Sequence, residues 1–288
     1  MSRILDDIKQ QYKLGDITNK IIYWNVACFL LSLIFFFKFS VSHFQFPNWL
    51  ALSSNPSNFL IFPWTFLTYA FLHSGFWHLF FNMIMLNFSG RLFLTFFTQK
   101  QFLGLYILSS IFAGLSFVVI YFLMGIEAPI VGASAAVLSV LVATTAYQPL
   151  MEVRLMLIGS IKLWHITAVI LLLDIMQIMI ENTGGHIAHI SGAIFGVIFT
   201  KSLQSGTDLS LIVTNVINFF VNLFQPKKAT PFKKVHVNPK KAPVNVQSKI
   251  VTKDKTQQQI DEILDKISQS GYDSLTAEEK EFLFKAGK

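Results

Sequence analysis

The chain has 288 residues, 53% of them hydrophobic and only 14% charged, with 30 phenylalanines; soluble domains carry roughly 25% charged residues. With a mean hydropathy of +0.53, this composition excludes a soluble globular domain, a global coiled coil, collagen and wholesale disorder, and a bilayer is the natural solvent. Cys28 is the single cysteine, which excludes disulfides and multi-cysteine metal sites. The net charge of +7 therefore has to be read by position.

Residues 1–20 are polar and charged and are read as a cytoplasmic N-terminal segment without a cleavable signal peptide. Six apolar stretches then predict membrane-spanning helices over about 21–39, 76–97, 102–124, 131–147, 158–180 and 186–203. Between the first two, residues 41–75 carry no Asp, Glu, Lys or Arg but are broken by Pro47, Pro56 and Pro63. That combination predicts a loop lying partly in the membrane interface.

Basic residues alternate from one side to the other. Arg3, Lys9, Lys13 and Lys20 precede span one, Arg91 and Lys100 lie between spans two and three, and Arg154 and Lys162 lie between four and five. Lys201 ends span six, whereas the segments 41–75, 125–130 and 181–185 hold no Lys or Arg, only Glu127 and Glu181. The positive-inside rule then predicts both termini in the cytoplasm. Lys38, at the outer end of span one, is the one mismatch and can snorkel.

Residues 204–225 contain a polar stripe at Ser210, Thr214, Asn218 and Asn222, one helical face, and are read as an amphipathic interfacial helix rather than a seventh span. Residues 226–256 interleave lysines with Pro and Val and are read as a basic disordered linker. Beside a membrane, such a run is drawn to anionic cytoplasmic lipid by about 1 kcal/mol per basic residue. No folded basic platform accompanies it, so nucleic acid is not expected as a partner. Residues 257–288 predict a small helical hairpin, with Ile260, Ile263, Leu264 and Ile267 on one face, Gly271 as a stop, and a capping box of Thr276 and Glu279.

Polar residues inside a membrane are costly and carry information. Spans two, four and six run the same way, and at their outer ends lie His73, His78 and Asn82; Gly132 and Ser134; and His186 and His189. Three distant stretches thus reach one depth on one side. The chemistry suits nucleophilic acyl transfer: a serine, Ser134, with a neutral imidazole, His189, as base. His78 and Asn82 share one helical face and can both point at an oxyanion, joined by the backbone N–H groups at the start of span four. No carboxylate stands near His189 in sequence, Glu181 being eight residues before it, so a Ser–His dyad is expected rather than a triad. Gly192-x-x-x-Gly196 would meet Ala135, Ser139 and Ala143 of span four and so bring Ser134 and His189 together.

Rival readings exist. His186 and His189, with His73 or His78, could hold zinc, but no H-E-x-x-H is present. A transporter would call for an internal repeat, and none is seen. Asp174 and Gln177 in span five have no assigned partner; they line a water path or gate, or bond to a neighbouring helix, and the sequence does not decide.

Over about residues 18–205 the chain resembles the rhomboid intramembrane serine proteases, through FLHSGFWHLFFN (71–82), VGASAA (131–136) and HIAHISGAIFG (186–196). The resemblance implies an all-α, six-span helical bundle over residues 21–203 with a membrane-embedded first loop. It implies Ser134 as nucleophile, His189 as general base, and His78, Asn82 and the Ser134 N–H as oxyanion hole. His73, Gly132, Gly192 and Gly196 take structural or supporting roles, and no cofactor or metal is required. The implied substrates are transmembrane segments of other membrane proteins, reached from the side and cut near the extracytoplasmic face. The implied home is a bacterial inner (plasma) membrane. The alternative is an inactive relative that binds membrane clients. Three positions depart from the family pattern: Trp64-Thr65 stands where Trp-Arg is frequent, Ala135 where glycine is frequent, and Leu138 where some members carry an aromatic.

Overall fold

The computed structural model describes residues 2–155, 159–180, 182–224 and 255–286. The basic run at 226–254, and with it the reading of that run as disordered, lies outside the described residues, as does Glu181. The described chain forms two units, residues 1–227 and 228–288.

In the first unit, α1 (Ser2–Leu14) leads to α2 (Ile17–Phe35), which starts where Asp16 Oδ1 accepts the Asn19 N–H at 3.0 Å. The apolar first loop then folds on itself instead of spanning. It contains a short hairpin, β1 (Phe37–Lys38) with β2 (His43–Phe44), the strand β3 (Leu52–Ser53), and two short helices, α3 (Pro56–Ile61) and α4 (Thr65–Thr68). Lys38 is therefore not at the end of the first helix as expected; that helix stops at Phe35 and Lys38 sits exposed in β1.

Five longer helices follow: α5 (Phe76–Leu94), α6 (Gln99–Met124), α7 (Ser134–Tyr147), α8 (Leu163–Gln177) and α9 (Thr183–Gln204). The 26-residue α6 is framed by a Thr98–Gln101 capping box and a left-handed Gly125 at φ +67°, a stop that glycine adopts without strain. Before α7, β4 (Pro129–Ile130) pairs antiparallel with β3, Leu52 opposite Ile130. The first loop is thereby stitched to the segment that delivers Ser134.

Residues 159–162 do not belong to the fifth span. They form a polar hairpin, β5 (Glu152–Leu155) with β6 (Gly159–Lys162), in which Glu152 and Lys162 are cross-strand partners, and α8 begins only at Leu163. By length and composition, α2, α6 and α9 can each cross a membrane. At 14 residues α7 is about 21 Å long, short of a hydrocarbon core of roughly 30 Å. A helix of this length does not reach both faces of the core. Everything from Ala135 to Thr144 is buried, which makes α7 the axis of the bundle.

Small residues set the packing around that axis. A Cβ on Gly196 would come within 2.5 Å of the Ser139 carbonyl oxygen, and one on Gly192 would collide with the Ala135 carbonyl. Thr200 Oγ1 donates to the Ala143 carbonyl at 3.0 Å, one turn further along. So α7 and α9 touch backbone to backbone. Gly90 lets Thr18 press α2 against α5, and Gly104 admits Ser210 at the start of α10 (Ser210–Phe224), which packs on α6.

The second unit is α11 (Lys255–Ser270) and α12 (Ala277–Ala286). Gly271, at φ +79°, ends the first, and Thr276 and Glu279 cap the second reciprocally, at 2.8 and 3.3 Å. Ile263 and Leu275 are buried, while Leu264 of the expected face is exposed. Lys266 Nζ lies 2.8 and 2.9 Å from the two Glu279 oxygens. That ammonium, followed by the Thr276 N–H, holds the Glu279 carboxyl below its ordinary range.

Two expectations follow. Gly192→Val should destabilise the bundle by about 1–3 kcal/mol or more, as overpacking does, read as a lowered thermal midpoint in detergent. Lys266→Ala should move the Glu279 titration, followed by carbon-13 NMR, upward toward the ordinary glutamate range. Because the carboxyl is depressed, its stabilising effect is present above that ordinary range and disappears as the pH falls through the lowered value.

Candidate active site

Four of the predicted site residues reach one place through the helix register. Ser134 is the first residue of α7 and His189 lies two turns into α9, where the Gly192 contact draws the two helices together. Ser134 Oγ stands 2.6 Å from His189 Nε2. His78 and Asn82 lie one turn apart in α5 and face the same cavity, of about 890 Å³, which Ser134 and His189 also line.

Gly132 explains how His78 comes so near. Its φ of +140° is open to glycine and strained for other residues, and a Cβ there would sit 2.9 Å from two atoms of the His78 imidazole. The Gly132 N–H donates to the Tyr69 carbonyl at 2.9 Å, so the first loop holds this turn in place. On its other side the His78 ring meets the Ser74 hydroxyl, 3.0 Å from Nδ1. His73 is fully buried, its ring edge-on to that of His78 at 5.1 Å. Asn82 Nδ2 donates to the His78 carbonyl at 2.8 Å. An amide nitrogen carries two protons, and the second remains for an oxyanion.

The bare dyad expected from sequence is not what the structure contains. Asp174 Oδ1, from α8, lies 2.8 Å from His189 Nδ1 and 2.7 Å from His186 Nδ1. Sequence distance misled here, because fifteen residues and a helix turn-around separate Asp174 from His189. The signal available was the intramembrane carboxylate itself, which demands a partner, with two imidazoles as the obvious donors. Gln177 also lines the cavity.

The same three side chains offer metal-ligating atoms within 4.8 Å of one another. Their Nδ1–Oδ1 separations of 2.7 and 2.8 Å are hydrogen-bond distances. Ligands around tetrahedral zinc, with bonds near 2.0 Å, stand about 3.3 Å apart. The donor set is thus at distances suited to proton sharing, and among the described residues the clustered ligand-type groups are Asp174, His186 and His189, without His73 or His78.

The departures from the family pattern are absorbed locally. Trp64 Nε1 donates to the Trp49 carbonyl at 2.8 Å, and Thr65 Oγ1 to that of Phe62 at 2.7 Å, closing the loop on itself. The Ala135 side chain is accommodated among other small ones, in a buried cluster with Ala113 and Ala188. Leu138 lines the cavity, and the ring that meets His189 is His186, edge-on at 5.7 Å.

An all-α integral membrane bundle with a serine and a histidine in contact at the start of its central helix defines a narrow class. The family model for the rhomboid domain matches residues 62–205, half of the 288 residues, and the chain belongs to the rhomboid family. Residues 251–285 match a second family, one of unknown function (DUF6576). Comparison with curated proteins gives no match.

Proposed function

We propose that this protein is an intramembrane serine endopeptidase that cuts transmembrane segments of other membrane proteins near their extracytoplasmic end. One observation carries the reading: within a rhomboid domain, Ser134 Oγ stands 2.6 Å from a histidine nitrogen at the wall of an 890 Å³ cavity.

In this reading His189 Nε2 takes the serine proton as Ser134 Oγ attacks the scissile carbonyl, then returns it to the leaving amine. The oxyanion that forms is met by the Ser134 backbone N–H, His78 and Asn82. The free N–H groups and positive end of α7 add to that field. The cavity is walled by Trp77, Phe81 and Met85 from α5 and by Ile170 and Leu173 from α8. An apolar wall of this kind suits a substrate helix arriving from the lipid side. The peptide bond must leave its helix to be attacked, so small or helix-breaking residues around it should favour cleavage. The reaction needs no cofactor.

The distribution of lysine and arginine supports an orientation with both termini in the cytoplasm, and the resemblance to rhomboid proteases supports a bacterial inner membrane as the home. The basic run 226–256 would then lie near anionic lipid, between the protease core and a cytoplasmic C-terminal hairpin.

The test is cleavage of a single-span substrate by purified protein, with Ser134→Ala, His189→Ala and an EDTA arm. Both variants should abolish cleavage while keeping the wild-type melting curve, and EDTA should change nothing. Asn82→Ala should slow cleavage by up to about 10²–10³-fold, the loss typical of one oxyanion donor. Activity retained in Ser134→Ala would sink the serine mechanism. A folded wild type silent toward several substrates would instead favour an inactive relative that binds membrane clients.

A further inference from the structure

We propose that Asp174 is the positioning residue of this site, making it a Ser134–His189–Asp174 chain in which His186 steadies the carboxylate; the proposal rests on the protease reading above. Each link has hydrogen-bond length: 2.6 Å from Ser134 Oγ to His189 Nε2, and 2.8 Å from His189 Nδ1 to Asp174 Oδ1. A neutral imidazole carries one proton on either nitrogen. With a carboxylate oxygen at Nδ1, the proton resides there, and Nε2 presents its lone pair to the serine. Asp174 thereby selects the one tautomer that can act as base. When His189 takes the serine proton it becomes a cation in poorly solvated surroundings, and the carboxylate behind it offsets that charge.

Burial points the same way. Asp174 is 7% exposed, the one carboxylate on a mostly apolar helix, flanked by Leu173 and Ile175. A carboxylate in such a place is costly unless paired. Among the described residues, Asp174 pairs with His189 and His186, both on the same oxygen, Oδ1. An sp² oxygen has lone pairs for both donors, so His186 does not displace His189. It anchors the carboxylate from a buried position, 8% exposed, one helical turn before the base.

The arrangement also links the base to α8. That helix is joined to α7 by the Thr145–Thr167 hydroxyl pair, 2.7 Å apart, and to α9 by Asp174. The carboxylate holds His189 only while α8 lies against α9.

The experiment compares Asp174→Asn, Asp174→Ala and Asp174→Glu with the wild type and Ser134→Ala, in detergent, on a single-span substrate. It separates kcat from KM and records each thermal midpoint. Asp174→Asn and Asp174→Ala should lower kcat at least about tenfold, toward the roughly 10⁴-fold loss seen when soluble triads lose this charge, with KM changed less than about twofold. Asp174→Glu keeps the charge and has the cavity to extend into, so its kcat should exceed that of Asp174→Asn. A merely structural role reverses that order, because Asn matches the shape and Glu does not. The proposal is overturned by a wild-type kcat in Asp174→Asn, by that reversed order, or by chelator-sensitive cleavage that zinc restores. A wild type that cleaves, a silent Ser134→Ala and an unchanged Asp174→Asn would remove the role of Asp174 alone. A silent wild type, or an active Ser134→Ala, would remove the protease reading and this proposal with it.

Discussion

Backbone contact between α7 and α9 governs the geometry of everything around it. Two membrane helices gain little from burying apolar side chains against each other, since lipid is equally apolar, and they associate where small residues let their backbones meet. Here Gly192 and Gly196 lie against the Ala135 and Ser139 carbonyls, and Thr200 adds a hydrogen bond to the Ala143 carbonyl at 3.0 Å. That seam fixes rotation and height together. Once Gly192 lies on Ala135, the residue just before Ala135 and the residue one turn before Gly192 have to meet. Those residues are Ser134 and His189, and their side chains come within 2.6 Å.

A second constraint fixes how deep the meeting point lies. At 14 residues, α7 is too short to span a hydrocarbon core, and the chain leading to it must be held by something other than lipid. The first loop supplies this. Leu52 pairs with Ile130, the Ser54 N–H donates to the Ala128 carbonyl at 3.1 Å, and the Tyr69 carbonyl accepts the Gly132 N–H at 2.9 Å. Tyr69 is itself anchored, its hydroxyl donating to the Ser110 carbonyl of α6 at 2.8 Å. Polar backbone at membrane depth is tolerable only when satisfied by protein in this way. The turn so held leaves Gly132 with a φ of +140° and the His78 ring packed closely against it.

Much of this was legible in the sequence, and the reasons are physical. Long apolar runs, the Gly192–Gly196 spacing and polar residues at matched depths are one-dimensional traces of packing, span length and desolvation, and each can be read without coordinates. The Thr276–Glu279 box and the Gly271 stop are local, and local rules reach them. What failed was non-local or marginal. The strand at 159–162 was absorbed into span five because apolar residues stand on both sides of it in the sequence. Helix one was drawn too long because Phe36, Phe37 and Phe39 are as apolar in a folded loop as in a helix. The carboxylate behind His189 was sought along the chain, where only Glu181 was near, while the real neighbour came from the preceding helix.

Asp174 shows where an intramembrane sequence carries more than its motifs. A serine, a histidine or a pair of glycines in a membrane helix has several ordinary uses. A carboxylate flanked by Leu173 and Ile175 and only 7% exposed has few, since burial makes its charge costly unless it is paired. The number of groups able to satisfy it is small, and in this chain the imidazoles of span six are the donors closest to its depth. The most expensive residue in the bundle is therefore the one whose partner is best determined. Its burial, its two short hydrogen bonds and its location on the helix opposite the base all follow from a single requirement, that a charge in hydrocarbon be held by donors that need it there.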